Sequence, residues 1–318
     1  MSYRHLVDPE LLPTLDASPG FSFSDEGLPK VREQFMLRDL VDHPEVEVSE
    51  HFAPGLFGAP LVRVVRYACK LPSGPLPALL HIHGGGYILG QPEMTDAQSK
   101  SLAAEIGCVV LSVDYRLAPE TPFPGAVEDC YAALKWLHAE AKALGVDASR
   151  VVVGGESAGG GLAAALALYN RDNDALPIAL QYLTYPMLDH RTGAAGDHFY
   201  DGVATWTAKS NRFGWAALLG DGFENSEVSP YASPSRAASF AGLPAAFIGV
   251  GALDLFADEN LEYARCLIRD GVATELHVYP GAFHGFNNVA DADVAKRFQR
   301  DWRAALERVF QPGKENPA

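Results

Sequence analysis

The sequence contains few cysteines, no long hydrophobic run and fewer basic than acidic residues. Its cysteines lie far apart, without a CxxC spacing, which disfavours both a disulfide framework and a cysteine-ligated metal site. No stretch approaches the roughly 18 consecutive apolar residues of a membrane span, and the N-terminal segment lacks the apolar core of a signal peptide. These absences predict a soluble protein of the cytoplasm with four buried thiols, Cys69, Cys108, Cys130 and Cys266.

Negative charge dominates the composition. The 40 Asp and Glu residues outnumber the 25 Lys and Arg residues and give a formal net charge of −15 at pH 7. Such a charge disfavours nucleic acid and anionic membranes as partners, because both present negative phosphates. A neutral or cationic small molecule fits better as a ligand, although an acidic surface also serves simply to keep a protein in solution.

From about residue 61 onward, short β-branched runs alternate with longer helix-like segments. This alternation is typical of a mainly parallel sheet with crossover helices, and it predicts an α/β fold. The predicted strands are 61–70, 78–83, 108–115, 150–155, 178–185, 245–251 and 274–280. The predicted helices are 96–107, 125–145, 157–172, 257–271 and 291–310.

Two regions interrupt the alternation. Residues 1–45 contain one amphipathic stretch at 29–41, and residues 186–225 carry an aromatic, helix-like segment around Trp206 and Trp215. Both could be ordinary excursions, but long insertions in compact domains are usually functional. We therefore predict that 1–45 forms the N-terminal part of a helical cap on a catalytic domain at 46–318, and that 186–225 adds a cap-like insertion.

A G-x-S-x-G pattern centred on Ser157 joins a β-branched run to a small-residue helix. This context is typical of a nucleophile elbow, in which the serine adopts a strained backbone between strand and helix. The residues two positions away must lack bulk, and Gly155 and Gly159 do. The helix N-terminus favours developing negative charge beside the serine. We predict that Ser157 is a catalytic nucleophile; the alternative is a tight turn without chemistry.

A glycine-rich loop, His-Gly-Gly-Gly-Tyr, follows the strand predicted at 78–83. Attack on an acyl carbonyl turns its oxygen into an anion, and rigid backbone N–H groups can stabilise it without rearrangement. Gly84 and Gly85 can expose their N–H groups, and the elbow adds that of Ala158 directly after the nucleophile. These three residues are the predicted oxyanion hole; the alternative is a loop that only packs closely.

The order of the chain restricts the choice of acid and base. At such an elbow the nucleophile, acid and histidine follow one another along the chain. Asp254 comes directly after the strand predicted at 245–251, at the sheet edge where ligands bind. Of the two later histidines, His277 lies inside a predicted strand, whereas His284 lies in a glycine-flanked loop just beyond it. We therefore predict a triad of Ser157, Asp254 and His284.

Four apolar side chains near these motifs are candidates for the walls of a substrate pocket: Tyr87, Ile88, Trp206 and Phe286. Packing in the core is an equal alternative for each of them, because aromatic residues are mostly buried in any case. His81 and His83 could in principle ligate a metal, but no third and fourth ligands occur at a recognisable spacing. We therefore expect no metal and no cofactor.

With these motifs in place, the sequence resembles the hormone-sensitive-lipase-like esterases, also called bacterial family IV lipolytic enzymes. Further matching segments are Asp114-Tyr115-Arg116-Leu117-Ala118-Pro119-Glu120, Tyr185-Pro186-Met187-Leu188-Asp189, Ser229-Pro230-Tyr231-Ala232-Ser233-Pro234, Gly242-Leu243-Pro244 and Asp254-Leu255-Phe256-Ala257-Asp258-Glu259. The resemblance implies an α/β-hydrolase fold, with a mostly parallel eight-stranded sheet flanked by helices and a small helical cap. It also implies hydrolysis of short-chain acyl esters without a cofactor, and in many members a homodimer.

One residue departs from the family pattern. The family has Asp before the serine, where this chain has Glu156, whose longer side chain can reposition the loop that carries Gly84. A serine carboxylesterase is the expected function. An amidase or peptidase with the same triad is the nearest alternative. A small-molecule receptor is another, because the plant gibberellin receptors resemble this family but lack its histidine; His284 argues against that alternative.

Overall fold

The computed structural model describes residues 3–17, 23–36, 40–70, 74–193 and 205–311 of the 318-residue chain. An eight-stranded sheet forms its centre. The strands are β1 Val46–Ala53, β2 Val62–Cys69, β3 Leu76–Ile82, β4 Val109–Asp114, β5 Val146–Glu156, β6 Leu180–Thr184, β7 Ala245–Gly251 and β8 Thr274–Tyr279. The α-helices are α1 Leu12–Ala17, α2 Leu28–Met36, α3 Asp96–Ser101, α4 Gly125–Ala139, α5 Ala141–Leu144, α6 Ala158–Asp172, α7 Ala208–Leu219, α8 Ala257–Arg269 and α9 Asp293–Phe310.

The strands lie in the order β1-β2-β4-β3-β5-β6-β7-β8. Strand β2 pairs antiparallel with β1 and with β4, and every pair from β4–β3 to β7–β8 is parallel. Parallel neighbours need crossover connections, and α4, α6 and α8 lie in such connections. The mostly parallel eight-stranded sheet confirms the predicted α/β-hydrolase fold class.

The central strands are buried on both faces, as expected for a parallel sheet that helices cover. Successive side chains of a strand point to opposite faces, so Leu80 of β3 and Leu111 of β4 belong to one hydrophobic cluster, whereas Leu79 and Val110 belong to another. The elbow and the loops after β3, β7 and β8 all leave the sheet at the carboxyl ends of parallel strands. The fold therefore gathers every predicted catalytic segment at one edge.

The structure differs from the sequence prediction at several elements. Strand β1 was not expected, because the predicted sheet began at residue 61. Only its end residues, Val46 and Ala53, are buried. This edge strand therefore lacks the regular alternation of apolar and polar residues that would have predicted it. The helix predicted at 125–145 is broken at Glu140 into α4 and α5, and the one predicted at 96–107 ends in a π-helical turn, Leu102–Ile106.

The two regions predicted to form a cap contact each other through aromatic rings. The ring centroid of Phe23 lies 5.7 Å from that of Trp206 and 5.8 Å from that of Phe213. Other parts of these regions, at 1–2, 18–22, 37–39 and 194–204, lie outside the described residues, so the division into cap and catalytic domain stays a prediction. Within the described ranges, no helix has the length and apolar character to cross a membrane.

Candidate active site

Ser157 lies at the turn between β5 and α6. Its backbone has φ 56° and ψ −121°, outside the regions that residues other than glycine normally occupy. Hydrogen bonds hold the turn: the Ser157 N–H donates to Thr184 O (2.9 Å), and the Ser157 carbonyl accepts from the N–H groups of Gly161 (2.9 Å) and Met187 (3.0 Å). A strained serine in a well-bonded turn is the geometry of a nucleophile elbow.

Gly155 and Gly159 allow the elbow to approach β3. A Cβ atom at either position would lie 2.0 Å from the carbonyl oxygen of Ile82, and one at Gly159 would also lie 2.5 Å from that of His83. Real Cβ atoms do not come so close to backbone oxygen. The two glycines therefore let the start of α6 lie directly against the end of β3 and the loop that follows it.

His284 connects Ser157 to Asp254. Its Nε2 lies 3.0 Å from Ser157 Oγ, and its Nδ1 lies 2.8 Å from Asp254 Oδ2. Asp254 is fully buried, and its other carboxylate oxygen accepts the N–H of Phe256 (2.9 Å). A carboxylate on Nδ1 fixes the tautomer in which Nε2 is free to accept the serine proton. The three predicted residues thus form one hydrogen-bonded chain.

Two other histidines are placed differently. His277 lies on β8 with Nε2 2.7 Å from Glu275 Oε1. His190 forms a second buried serine–histidine pair, with Nδ1 3.1 Å from Ser233 Oγ. However, the same nitrogen also faces Asp189 at 3.9 Å, so the imidazole cannot relay between serine and carboxylate. Ser233 is fully buried, which leaves no access for a substrate.

The glycine loop after β3 lies against the nucleophile. A Cβ atom at Gly84 would be 3.5 Å from Ser157 Cβ and 2.9 Å from the carbonyl oxygen of Glu156. Within the described residues, the N–H groups of Gly84, Gly85 and Ala158 donate to no other group. Three unpaired main-chain donors beside a serine hydroxyl are what an oxyanion hole requires.

Glu156, the residue that departs from the family pattern, pairs with His81. The Nε2 atom of His81 lies 3.0 Å from Glu156 Oε2, and its Nδ1 lies 3.3 Å from Ser112 Oγ. The pair joins β5 to β3 directly below the elbow and the glycine loop. His83 has a separate role: its Nδ1 lies 2.8 Å from Gly84 O, and burial lowers its pKa to about 4, so it stays neutral. The two histidines therefore do not converge on a shared metal position.

A cavity of about 550 Å³ opens at Ser157, within the usual size range of small-molecule sites. His284 and the glycine loop form part of its wall. The remaining wall includes apolar side chains, from Phe23, Leu89, Met94 and Trp206. It also includes amide side chains, from Gln98, Asn287 and Asn288.

Of the four predicted pocket walls, only Trp206 lines this cavity within the described residues. Ile88 is fully buried. The hydroxyl of Tyr87 donates to Met187 O (3.2 Å), and the ring of Phe286 packs against that of Phe298 with centroids 5.5 Å apart. Among the described residues, Tyr87, Ile88 and Phe286 do not line this cavity, because their side chains pack in the core.

Sequence reasoning missed Tyr185, which lines the cavity next to the histidine. Its ring centroid lies 4.5 Å from that of His284, and its hydroxyl donates to Asn287 Oδ1 (2.7 Å). Its φ of 34° is rare for a residue with a side chain. Burial raises the pKa of Tyr185 well above its usual value, so the hydroxyl stays a donor. Two signals were available: Tyr185 ends the strand predicted at 178–185, and it opens one of the segments that match the family.

Comparisons with known proteins agree with this geometry. A family described as alpha/beta hydrolase fold matches residues 79–288. Esterase LipI of Mycobacterium tuberculosis is 34% identical over 285 residues, which cover 88% of each chain. Carboxylesterase NlhH of the same species is 32% identical over 289 residues, 89% of this chain and 90% of that one. The structure of a bacterial heroin esterase matches with a TM-score of 0.92 at 41% identity, covering 98% of this chain and 100% of that one. The chain therefore belongs to the α/β-hydrolase superfamily, in the hormone-sensitive-lipase-like esterase family that its motifs indicate.

Proposed function

We propose that this protein is a serine carboxylesterase that hydrolyses short-chain acyl esters, with Ser157, His284 and Asp254 as its catalytic triad. One observation carries the proposal. The hydrogen-bonded chain from Asp254 through His284 ends at a serine hydroxyl, next to three unpaired N–H groups among the described residues. The esterase names of the relatives support the same reaction class.

In the first half of the reaction, His284 Nε2 takes the hydroxyl proton while Ser157 Oγ attacks the carbonyl carbon of the ester. The carbonyl oxygen becomes an anion that accepts hydrogen bonds from the N–H groups of the oxyanion hole, each worth about 2.7–4 kcal/mol in the transition state. Asp254 stabilises the imidazolium. His284 then gives its proton to the alcohol oxygen as the C–O bond breaks, which leaves an acylated serine.

In the second half, a water molecule attacks the acyl carbonyl. His284 takes a proton from this water, the oxyanion hole again holds the anion, and collapse releases the carboxylic acid. The proton returns to Ser157 Oγ, and the enzyme is regenerated. Every proton in this cycle passes through one imidazole nitrogen.

The nucleophile is tested by Ser157→Ala. We expect kcat on p-nitrophenyl acetate to fall on the order of 10⁴- to 10⁶-fold, with little change in melting temperature, because the hydroxyl serves chemistry and not packing. A fluorophosphonate probe should label the wild type and not this variant. Ser233→Ala is the matched control, since it removes the hydroxyl of the buried pair that Ser233 forms with His190, and its labelling should persist. Substantial activity in Ser157→Ala would refute the proposal.

An amidase or peptidase with the same triad differs only in the leaving group. Rates on matched p-nitrophenyl esters and p-nitroanilides of one acyl group separate the two functions, and we expect the ester to react much faster. Labelling by the probe without turnover of either substrate would instead indicate a receptor.

We also propose that the protein acts in the cytoplasm on a small-molecule ester and forms a homodimer. Four free cysteines fit a reducing compartment, the net charge of −15 opposes binding to nucleic acid, and the family resemblance favours the dimer. The segments 1–45 and 186–225 are proposed to cover the site as a cap. Sedimentation analysis tests the dimer.

A further inference from the structure

A second cavity adjoins the one at Ser157. Its volume of about 250 Å³ is far above the about 10–15 Å³ that one water molecule requires. Gln98, Asn287 and Asn288 line both cavities, so these three amide side chains form a shared wall. Gln299 and Trp302 of α9 line the second cavity on its far side. The second cavity therefore lies beside the one at Ser157 and also contacts the C-terminal helix.

The side chains of this wall are amides that the protein leaves unused. Within the described residues, the side chains of Gln98, Asn288 and Gln299 form no hydrogen bond, and Asn287 uses only its Oδ1, which accepts from Tyr185. Each free amide offers two donors and an acceptor with two lone pairs. Such a wall matches a ligand whose groups both donate and accept hydrogen bonds, as hydroxyl groups do.

The second cavity does not favour an anion. Arg303 lines it, but this guanidinium is already paired with the Glu105 carboxylate and donates to Ser101 Oγ (3.0 Å). Phe298 and Trp302 also line the second cavity, but they are only 2% and 3% exposed, so they present little surface to a ligand. Uncharged amides that can both donate and accept suit an uncharged ligand that carries several hydroxyl groups, as a sugar ring does.

The reaction fixes which part of an ester lies on this side. The alcohol oxygen must lie near His284 Nε2 to receive its proton as it leaves. Asn287 and Asn288 belong to the loop that carries His284, in the short 3₁₀ helix Phe286–Asn288, and they lead from the imidazole to the second cavity. The alcohol portion of the substrate is therefore directed toward it.

We propose that the second cavity is a subsite for the alcohol portion of the ester, and that this portion is a polyhydroxylated ring such as a sugar. The inference rests on the proposed esterase function and specifies its substrate class. The ring hydroxyls bond the amides of Gln98, Asn288 and Gln299. The acyl group stays beside Ser157.

The test compares two acetate esters of similar size. One is a methyl hexopyranoside with the acetate on its primary hydroxyl; the other is cyclohexylmethyl acetate, which lacks the ring hydroxyls. For the wild type we expect kcat/KM to be at least tenfold higher for the sugar ester. Gln299→Leu removes an amide that lines only the second cavity, and it should lower this preference about tenfold through KM. Its kcat/KM on cyclohexylmethyl acetate, which offers the amide no ring hydroxyls, should fall much less than its kcat/KM on the sugar ester.

Gln34→Leu is the matched control, because it makes the same substitution at an exposed position of α2 and should keep the preference. Gln299→Glu, which keeps the size and hydrogen-bonding reach of the side chain, should retain more of the preference than Gln299→Leu. Equal kcat/KM values for the two esters, or an unchanged preference in Gln299→Leu, would overturn the subsite. Failure of the wild type to hydrolyse even p-nitrophenyl acetate would instead overturn the esterase function.

Discussion

Gly159 sets how closely α6 approaches the strand end that carries the oxyanion loop. A Cβ atom there would lie 2.0 Å from Ile82 O and 2.5 Å from His83 O, and backbone atoms cannot turn aside as a flexible side chain can. We expect Gly159→Ala to push β3 and the glycine loop away from Ser157. The free energy of unfolding should fall by about 1–3 kcal/mol, and kcat on p-nitrophenyl acetate should fall about 100-fold, because a shift of about 1 Å misplaces the oxyanion donors.

Gly145→Ala is the control for this prediction. Gly145 has φ +71°, and an added Cβ atom would meet nothing within 4 Å, so the substitution costs about 1–2 kcal/mol of backbone strain without a clash. Urea unfolding and kcat are measured for both variants. A comparable loss of kcat in the two would show that stability, and not the oxyanion geometry, limits the activity of Gly159→Ala.

At this scale the sequence could predict which residues meet in one hydrogen-bonded chain, but not which side chains line the cavity around them. Ser157 and His284 were found because motif spacing and chain order are local properties, and the structure brings them to 3.0 Å. The side-chain directions of Tyr87, Ile88 and Phe286 depend on which neighbours fill the core. Periodicity and composition do not contain that information.

Among the elements, α2 combines apolar packing by Leu28 and Val31 with the hydrogen bonds of one guanidinium. Arg32 donates to Ile88 O (2.8 Å), Ala118 O (2.8 Å) and both carboxylate oxygens of Glu120 (2.6 and 2.9 Å). The segment just before α2 carries Phe23, which lines the cavity. We expect Arg32→Ala to loosen α2 and to raise KM roughly tenfold, equivalent to about 1.4 kcal/mol, while kcat stays nearly constant. Steady-state kinetics on p-nitrophenyl butyrate measure both constants.

Arg4→Ala provides a comparison within the same N-terminal region. Arg4 pairs with Asp16, but the two side chains are 50% and 55% exposed, and such surface pairs contribute little. We expect its KM to equal that of the wild type. If Arg32→Ala also left KM unchanged, α2 would not help to shape the site.

The strands illustrate which elements a sequence can predict. Strands β3 to β7 are buried on both faces and have near-continuous apolar sequences, so their positions were predicted within a few residues. Strand β1 pairs with β2 alone, and most of its side chains face solvent, including Phe52, which is 54% exposed. Without a buried face, its sequence lacks the alternation that identifies a strand.

For the whole molecule, the buried acid Glu259 contributes to how the free energy of unfolding depends on pH. Glu259 lies in the first turn of α8, where its carboxylate accepts the N–H of Leu188 (2.7 Å) and bonds the hydroxyl of Thr192. Burial, together with the neighbouring Asp189 and Asp254 carboxylates, raises the pKa of Glu259 well above its usual value. The folded protein therefore holds a proton here that the unfolded chain releases above pH 4.5.

The sign of the resulting pH dependence follows from proton counting. Above pH 4.5 the folded state binds more protons at Glu259 than the unfolded state, so this group lowers the free energy of unfolding as pH rises. Glu259→Gln cannot ionise in either state, and it keeps an oxygen to accept from Leu188. Above pH 4.5 the free energy of unfolding of Glu259→Gln should therefore rise relative to that of the wild type. The expected rise is up to about 1.4 kcal/mol per pH unit.

Another glutamate of α8, Glu262, provides a control whose effect on the free energy of unfolding has the opposite pH dependence. A hydrogen bond from Arg265 lowers the pKa of the solvent-facing Glu262 to about 2, so ionised Glu262 stabilises the fold above pH 4.5, and this contribution is lost as pH falls toward 2. Glu262→Gln should therefore be less stable than the wild type at pH 8 and approach it in acid. Urea unfolding of all three proteins at pH 3, 4, 6 and 8 measures both trends. Parallel curves for wild type and Glu259→Gln would mean that Glu259 is ionised in the folded protein, because only an extra proton held by the native state can make the two diverge.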